Sequence, residues 1–237
     1  MKVPTESRLT DRILVYSWVF VSDFRPYSEA LHKKVDEIPS TVDSGVGYIY
    51  IDHEAGISLK IEHLCWNLVS PGNEESLIPL EKLASLRFRY NTLKTLSLKP
   101  LSTESIQRLG LEPAPDWVRY YDSPDLKIIR EFTWLDPFRA PGFFDDIMAI
   151  LPGKDQEVPE IVWVRMFRYF PDTNWFKGIL LNEPFRDYGI HRNDTVNVQT
   201  VGKPGEMSLI ASRCETSQKE NVIDTQKDKY SNSGDTP

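Results

Sequence analysis

Four side chains able to hold or move protons crowd into one short stretch: Glu183, Asp187, His191 and Asp194. Carboxylates around an imidazole could serve as general acid and base, or ligate a cation, if the chain folds them onto one point. The same residue types also make turns and caps by accepting backbone N–H groups, and that simpler use competes with catalysis at each position. A second candidate pairs His63 with Cys65. Two apart on a strand, they would share a face, where thiolate and imidazole could bind zinc or form a nucleophile–base pair. No C-x-x-C, H-E-x-x-H or second paired cluster completes such a site. Asp52-His53-Glu54 could be a metal-binding or acid–base turn, although a solvated hairpin loop explains it as well. Asp145-Asp146 sits beside aromatic residues, but neighbours on a strand face opposite ways and could not share a proton. The chain also carries no phosphate-binding glycine loop, no G-x-S-x-G elbow and no dinucleotide fingerprint. The expectation is therefore no catalytic residues, no metal and no cofactor.

The elements that must position these groups are clearest between residues 160 and 201. Residues 161–167 are apolar on both faces at their start, which predicts a central strand. Pro171-Asp172-Thr173-Asn174 predicts a turn, and residues 175–181 return antiparallel, with Gly178 marking a bulge or a close backbone approach. Asn182-Glu183-Pro184 ends that strand, with Pro184 extending Glu183 and the Asn182 side chain folding back on its own backbone. A turn at Asn193-Asp194 starts a last strand at 195–201. Trp175-Phe176 and Phe185 could form an exposed anchor for a partner, or fill the core of a small barrel.

Upstream, residues 12–21 read as a strand and 26–35 as a short helix, followed by a turn-rich break at 39–45. Residues 46–52 and 57–64 flank a hairpin loop, and Ile57, Leu59 and Ile61 alternate with polar residues. Residues 74–90 read as helical. Ser102 predicts a helix N-cap and Gly110 a C-terminal stop. The prolines in 111–116 predict a linker. Residues 117–121, 126–134 and 147–151 read as strands. The tail at 214–237 has too few aliphatic residues to order itself. The fold class expected is α+β: an N-terminal hairpin-containing unit with one or two helices over residues 1–110, a C-terminal antiparallel β-rich module (a curled sheet or small barrel) over 117–213, and a disordered tail.

Composition narrows the function classes. The 237 residues carry a net charge of −7 and no long basic cluster, which argues against a nucleic-acid partner. The apolar run at 13–21 is too short to span a bilayer and lacks a cleavage pattern, so no membrane is expected. Two distant cysteines do not make a disulfide framework, which fits a cytoplasmic location.

The run Phe-Lys-Gly-Ile-Leu-Leu-Asn-Glu-Pro at 176–184, followed by Gly-Ile-His-Arg-Asn-Asp-Thr-Val at 189–196, resembles a small bacterial domain of unknown function. That domain has the form of a strand, a G-x-L-x-N-x-P loop and a G-D-x-V turn. Its relatives are associated with immunity proteins of bacterial toxin systems. The resemblance covers residues 143–201 and departs at Asn193, where the family has glycine; asparagine also tolerates the left-handed backbone. It supplies no catalytic residues. What it implies is a non-enzymatic protein that binds another protein, a basic toxin being the partner class that suits the acidic charge. The residues that would carry binding are Trp175, Asn182, Glu183, Phe185, Asp187, His191 and Asp194. The alternative is a small hydrolase or ligand-binding enzyme using the acidic residues of 183–194.

Overall fold

The computed structural model describes residues 12–22, 42–66, 77–79, 86–153, 158–203 and 206–214. The helix expected at 26–35 and the tail beyond residue 214 lie outside the described residues. Among the described residues the chain is mostly β with short helices, in two six-stranded sheets.

The first sheet has the order β4-β3-β2-β1-β6, with β5 also on β3. Its strands are β1 (Ser17–Ser22), β2 (Val42–Asp52), β3 (Gly56–Trp66), β4 (Leu77–Pro79), β5 (Arg87–Arg89) and β6 (Ser97–Pro100). Both faces are covered. Val19, Val21, Ile49, Ile51, Ile57 and Leu59 pack on one side, and Trp18, Phe20, Tyr48, Tyr50 and Cys65 on the other. The alternation of β3 breaks at Glu62. Ile61 pairs with Gly47 and His63 with Val46, so Glu62 is the extra residue of a β-bulge. The bulge moves Leu64 onto the face of Ile61 and turns Cys65 into the opposite core.

Residues 77–79 and 87–89, expected to be helical, are strands instead. Phe88 is buried between exposed Arg87 and Arg89, a period of two that β3 selects by pairing Leu59 with Phe88. Residues 12–16 are not strand either: 12–14 are helical and the chain turns at 15–16, with Tyr16 at φ +61.

Helices α1 (Tyr90–Leu93), α2 (Thr103–Arg108) and α3 (Pro124–Glu131) are short. Ser102 caps α2 by accepting from Ser105 N at 3.1 Å, and Gly110 follows at φ +65. As the prolines predict, residues 111–115 form no helix or strand, but the segment is packed down. Leu111 packs against the first sheet, and Trp18 Nε1 donates to Glu112 O at 2.7 Å.

Residues 117–121 and 126–134, expected to be strands, are a 3-10 helix (Asp116–Tyr121), α3 and a second 3-10 helix (Thr133–Phe138). Ser123 caps α3 by accepting from Leu126 N at 3.1 Å, and Pro124 occupies its first turn. Leu126, Ile129 and Arg130 then fall on one buried stripe. That local capping, with burial of the stripe, overrides the β preference of Ile128, Ile129 and Phe132.

The second sheet comprises β7 (Arg139–Ala140), β8 (Phe143–Leu151), β9 (Glu160–Phe170), β10 (Trp175–Leu180), β11 (Thr195–Val201) and β12 (Ser208–Arg213). Strands β8 to β12 run as a meander, and a parallel pairing of Ile210 with Ile150 closes them into a barrel. Closure removes the free edges that an open sheet would expose. Ile147, Val164, Met166, Phe176, Leu180 and Val198 fill its interior. Ile129 and Leu135, from α3 and the following 3-10 helix, join this core from outside the strands.

Gly178 lies at a bulge, where a Cβ would meet Val164 Cγ1 at 2.3 Å and Arg165 O at 2.6 Å. Only glycine fits. Asn174 and Asn193 take the left-handed turns at φ +55 and +75.

The two sheets meet at a tight joint. Ile57 N donates to Gly142 O at 2.7 Å, and Phe144 at the start of β8 packs into the first sheet's core. Among the described residues no helix is long and apolar enough to cross a membrane.

Candidate functional site

The loop from Leu181 to the Asn193-Asp194 turn uses its acidic side chains to hold its own backbone. Glu183 accepts from Arg192 N at 2.8 Å and from His191 Nδ1 at 2.7 Å. Asp194 accepts from His191 N at 2.8 Å, and Asp187 from Gly189 N at 2.8 Å. The Asn182 side chain does more than fold back locally, where its Nδ2 donates to Glu183 O at 3.5 Å. Its Oδ1 reaches across to accept from Trp163 N on β9 at 2.7 Å, because the neighbouring Leu181 N already bonds Trp163 O. Glu160 accepts from Phe185 N at 2.6 Å, and Ile190 is buried in the barrel core. The loop is pinned along its length.

This pinning presents Phe185 to solvent with its side chain 98% exposed, and Pro184 beside it is buried. Val158 and Ile161, on the segment that carries Glu160, are 68% and 57% exposed. Of the expected anchor residues, Phe176 is barrel core. Trp175 lies at the opposite end of β10, about 20 Å of strand away from Asn182, so it does not belong to this cluster.

The four acid–base candidates do not converge in a cavity. Glu183 and His191 bond side chain to side chain, with those side chains 57% and 66% exposed, while Asp194 bonds the His191 backbone N–H. The Arg192 backbone N–H and the His191 ring hold Glu183 below the usual carboxylate range, and Glu183 in turn raises His191. The pair is therefore intact between those two titrations. It loosens as pH falls through the Glu183 value or rises through the His191 value. We expect an NMR titration of His191 to give a midpoint above the ordinary histidine value, and Glu183→Gln to bring it back down. An unchanged midpoint in that variant would contradict the pairing.

A denser set of charges lies at the joint between the sheets, where His53 and Asp145, two separate candidates in the sequence, meet Arg130, Asp122 and Tyr16, which the sequence did not single out. Arg130 on α3 donates from Nε and Nη2 to the two oxygens of Asp145, at 2.9 and 2.7 Å. Its Nη1 donates to Tyr16 Oη at 3.0 Å and also bonds Asp122. His53, from the β2–β3 turn, sits with Nδ1 2.9 Å from Asp145 Oδ2. The Asp52-His53-Glu54 turn is thus more than a solvated loop. Asp52 accepts from Glu54 N and Ala55 N, and pairs with Arg89.

Burial would raise the Asp145 carboxyl, but Arg130 and His53 outweigh it and hold it below the usual range. Burial likewise opposes the Arg130 charge and is outweighed by Asp145. Asp146 points the other way, to Arg165 at 2.7 Å, so the two aspartates are separated as strand geometry requires. Arg12 joins the joint through Asp136 at 2.6 Å and the Arg130 carbonyl at 3.0 Å. The missed signal was Ser123-Pro124, an N-cap and first-turn pair that would have placed Arg130 on a helix beside Leu126 and Ile129.

Among the described residues no group of three His, Cys, Asp or Glu is placed to hold a metal. Cys65 is a buried core thiol. No family model, curated protein or solved structure matches the chain.

Proposed function

We propose that this chain is a non-enzymatic protein-binding protein that docks through the 182–194 loop. The observation that carries this reading is Phe185, almost wholly exposed on a loop whose backbone is pinned by Glu160, Asn182, Glu183 and Asp194. Exposing a large apolar side chain forgoes burial worth about 2 kcal/mol. Pinning it removes in advance much of the ordering entropy that binding would otherwise cost. A rigid aromatic anchor of this kind is what concentrates binding energy in protein interfaces. The chemical groups that could support the alternative, hydrolysis at 183–194, are committed to backbone N–H groups on an open surface. Such a site does not exclude water.

The resemblance at 143–201 supports a bacterial toxin as the partner to try first, with this chain acting as its immunity protein. The net charge of −7 suits a basic one. The test is binding between the purified chain and the products of neighbouring genes, followed by Phe185→Ala. The expected result is a stable complex that the substitution weakens by about 30-fold or more with unchanged melting of the free protein. A complex insensitive to Phe185→Ala would move the interface elsewhere. Failure to recover a complex with any neighbour would sink the immunity reading.

A further inference from the structure

A cavity of about 570 Å³ opens beside the joint, within the size range of small-ligand sites and in the position between units where such sites concentrate. Its walls come from both halves of the chain. Tyr48, Ile51, Val118 and Phe144, all buried, give it an apolar floor. One wall is Tyr16, a bulky residue held at φ +61 by a hydrogen bond from its N–H to Ile49 O at 2.8 Å. A tyrosine in that region stores backbone strain, which collects at binding and catalytic sites.

The charges narrow what could enter. The deep cations are matched: Arg130 by Asp145 and Asp122, Arg12 by Asp136. The rim adds Lys127 and Glu131 from α3, with Asp116 and Arg119 from the facing 3-10 helix, all four exposed. Each side thus offers one cation and one carboxylate. A polyphosphate or nucleotide would find no surplus of positive charge, and a purely apolar ligand would leave the rim unused. A ligand with an apolar body and opposite charges at its two ends complements both floor and rim.

We propose that this cavity is a second binding site, separate from the 182–194 loop, that takes a short peptide with free amino and carboxyl ends and a bulky apolar side chain. The carboxylate end meets Arg119 or Lys127, the ammonium end meets Asp116 or Glu131, and the side chain lies on Val118 and Phe144.

The experiment is calorimetric titration of the full chain with free tripeptides Ala-Xaa-Ala, where Xaa is Phe, Leu or Trp, with amide shifts recorded by NMR. At least one tripeptide is expected to bind and to perturb Val118, Ile51 and Phe144. Acetylating and amidating its ends should weaken it about tenfold or more, the loss of about 1.4 kcal/mol. Ala114→Trp, at an exposed position on the cavity wall, should block binding. Lys127→Glu should weaken it about fivefold, as expected for an exposed charge contact. Phe185→Ala should bind like the parent protein, which separates this site from the loop. Silence across the three tripeptides, equal affinity for free and capped forms, or tighter binding of pyrophosphate would each overturn the proposal.

Discussion

Replacing Arg130 with leucine is expected to cost about 3–5 kcal/mol of folding stability at pH 7, measured by urea denaturation, the cost of stranding buried charges. Arg130 supplies two hydrogen bonds to Asp145 and one to Asp122, and all three side chains are almost inaccessible. Without the guanidinium, Asp145 keeps the His53 hydrogen bond and the more distant charges of Arg139 and Arg165, and burial is expected to become the dominant influence on its carboxyl. The loss should therefore depend on pH in a definite direction.

In the parent protein the Asp145 carboxyl lies below its unfolded range. Its stabilising contribution is present at neutral pH and lost only as pH falls through the depressed value. In the variant its folded value is expected to lie above the unfolded one, so that protonation relieves the penalty. The gap between variant and parent should narrow as pH is lowered from 7 toward about 4. A gap that is constant over that range would show that the loss comes from packing rather than from a stranded carboxylate. Because the network ties α3, the β2–β3 turn and β8 together, the variant should also loosen the joint between the sheets. Faster hydrogen exchange at Ile57 N, which bonds Gly142 O, would report this.

Gly142→Ala is the second large effect, expected at about 3 kcal/mol or more from a clash and a strained backbone together. The residue sits at φ +78, and an added Cβ would lie 2.3 Å from the Tyr90 ring. Tyr90 cannot easily yield, being packed in the first sheet's core with Lys94 Nζ over its face at 4.1 Å from the ring centre. Gly142 itself is close against Gly56, whose own Cβ would come 2.3 Å from Gly142 O. Two glycines in contact let the halves approach closely enough for the Ile57–Gly142 hydrogen bond. Gly110→Ala is the matched control. It shares a positive φ, at +65, but an added Cβ meets nothing within 4 Å. Only the backbone cost of about 1 kcal/mol should remain there. Equal losses in the two variants would show that the joint tolerates the extra methyl.

Where sequence chemistry is local, the chain was legible. Gly178 interrupts an otherwise apolar strand because Val164 and Arg165 leave no room for a Cβ, and a lone glycine there announces a bulge. Asn193 takes a left-handed turn that its short polar side chain tolerates, and Ser102 and Gly110 bracket a helix with its two ends. These features depend on backbone torsions and on hydrogen bonds between residues a few positions apart. The residue types suffice to reveal them.

Three matters needed the tertiary structure. Ile128, Ile129 and Phe132 favour a strand, and the choice of helix came from the Ser123 cap and from burying one stripe against the barrel. Asp187, Glu183 and Asp194 have the chemistry of acids and ligands, yet the fold spends them on backbone N–H groups, a fate that depends on where the loop's own amides lie. Finally, Arg130, Asp145, His53 and Tyr16 come from four segments widely spaced in the chain. Pairwise spacing holds no trace of such a meeting, because it exists only where the two sheets pack against each other.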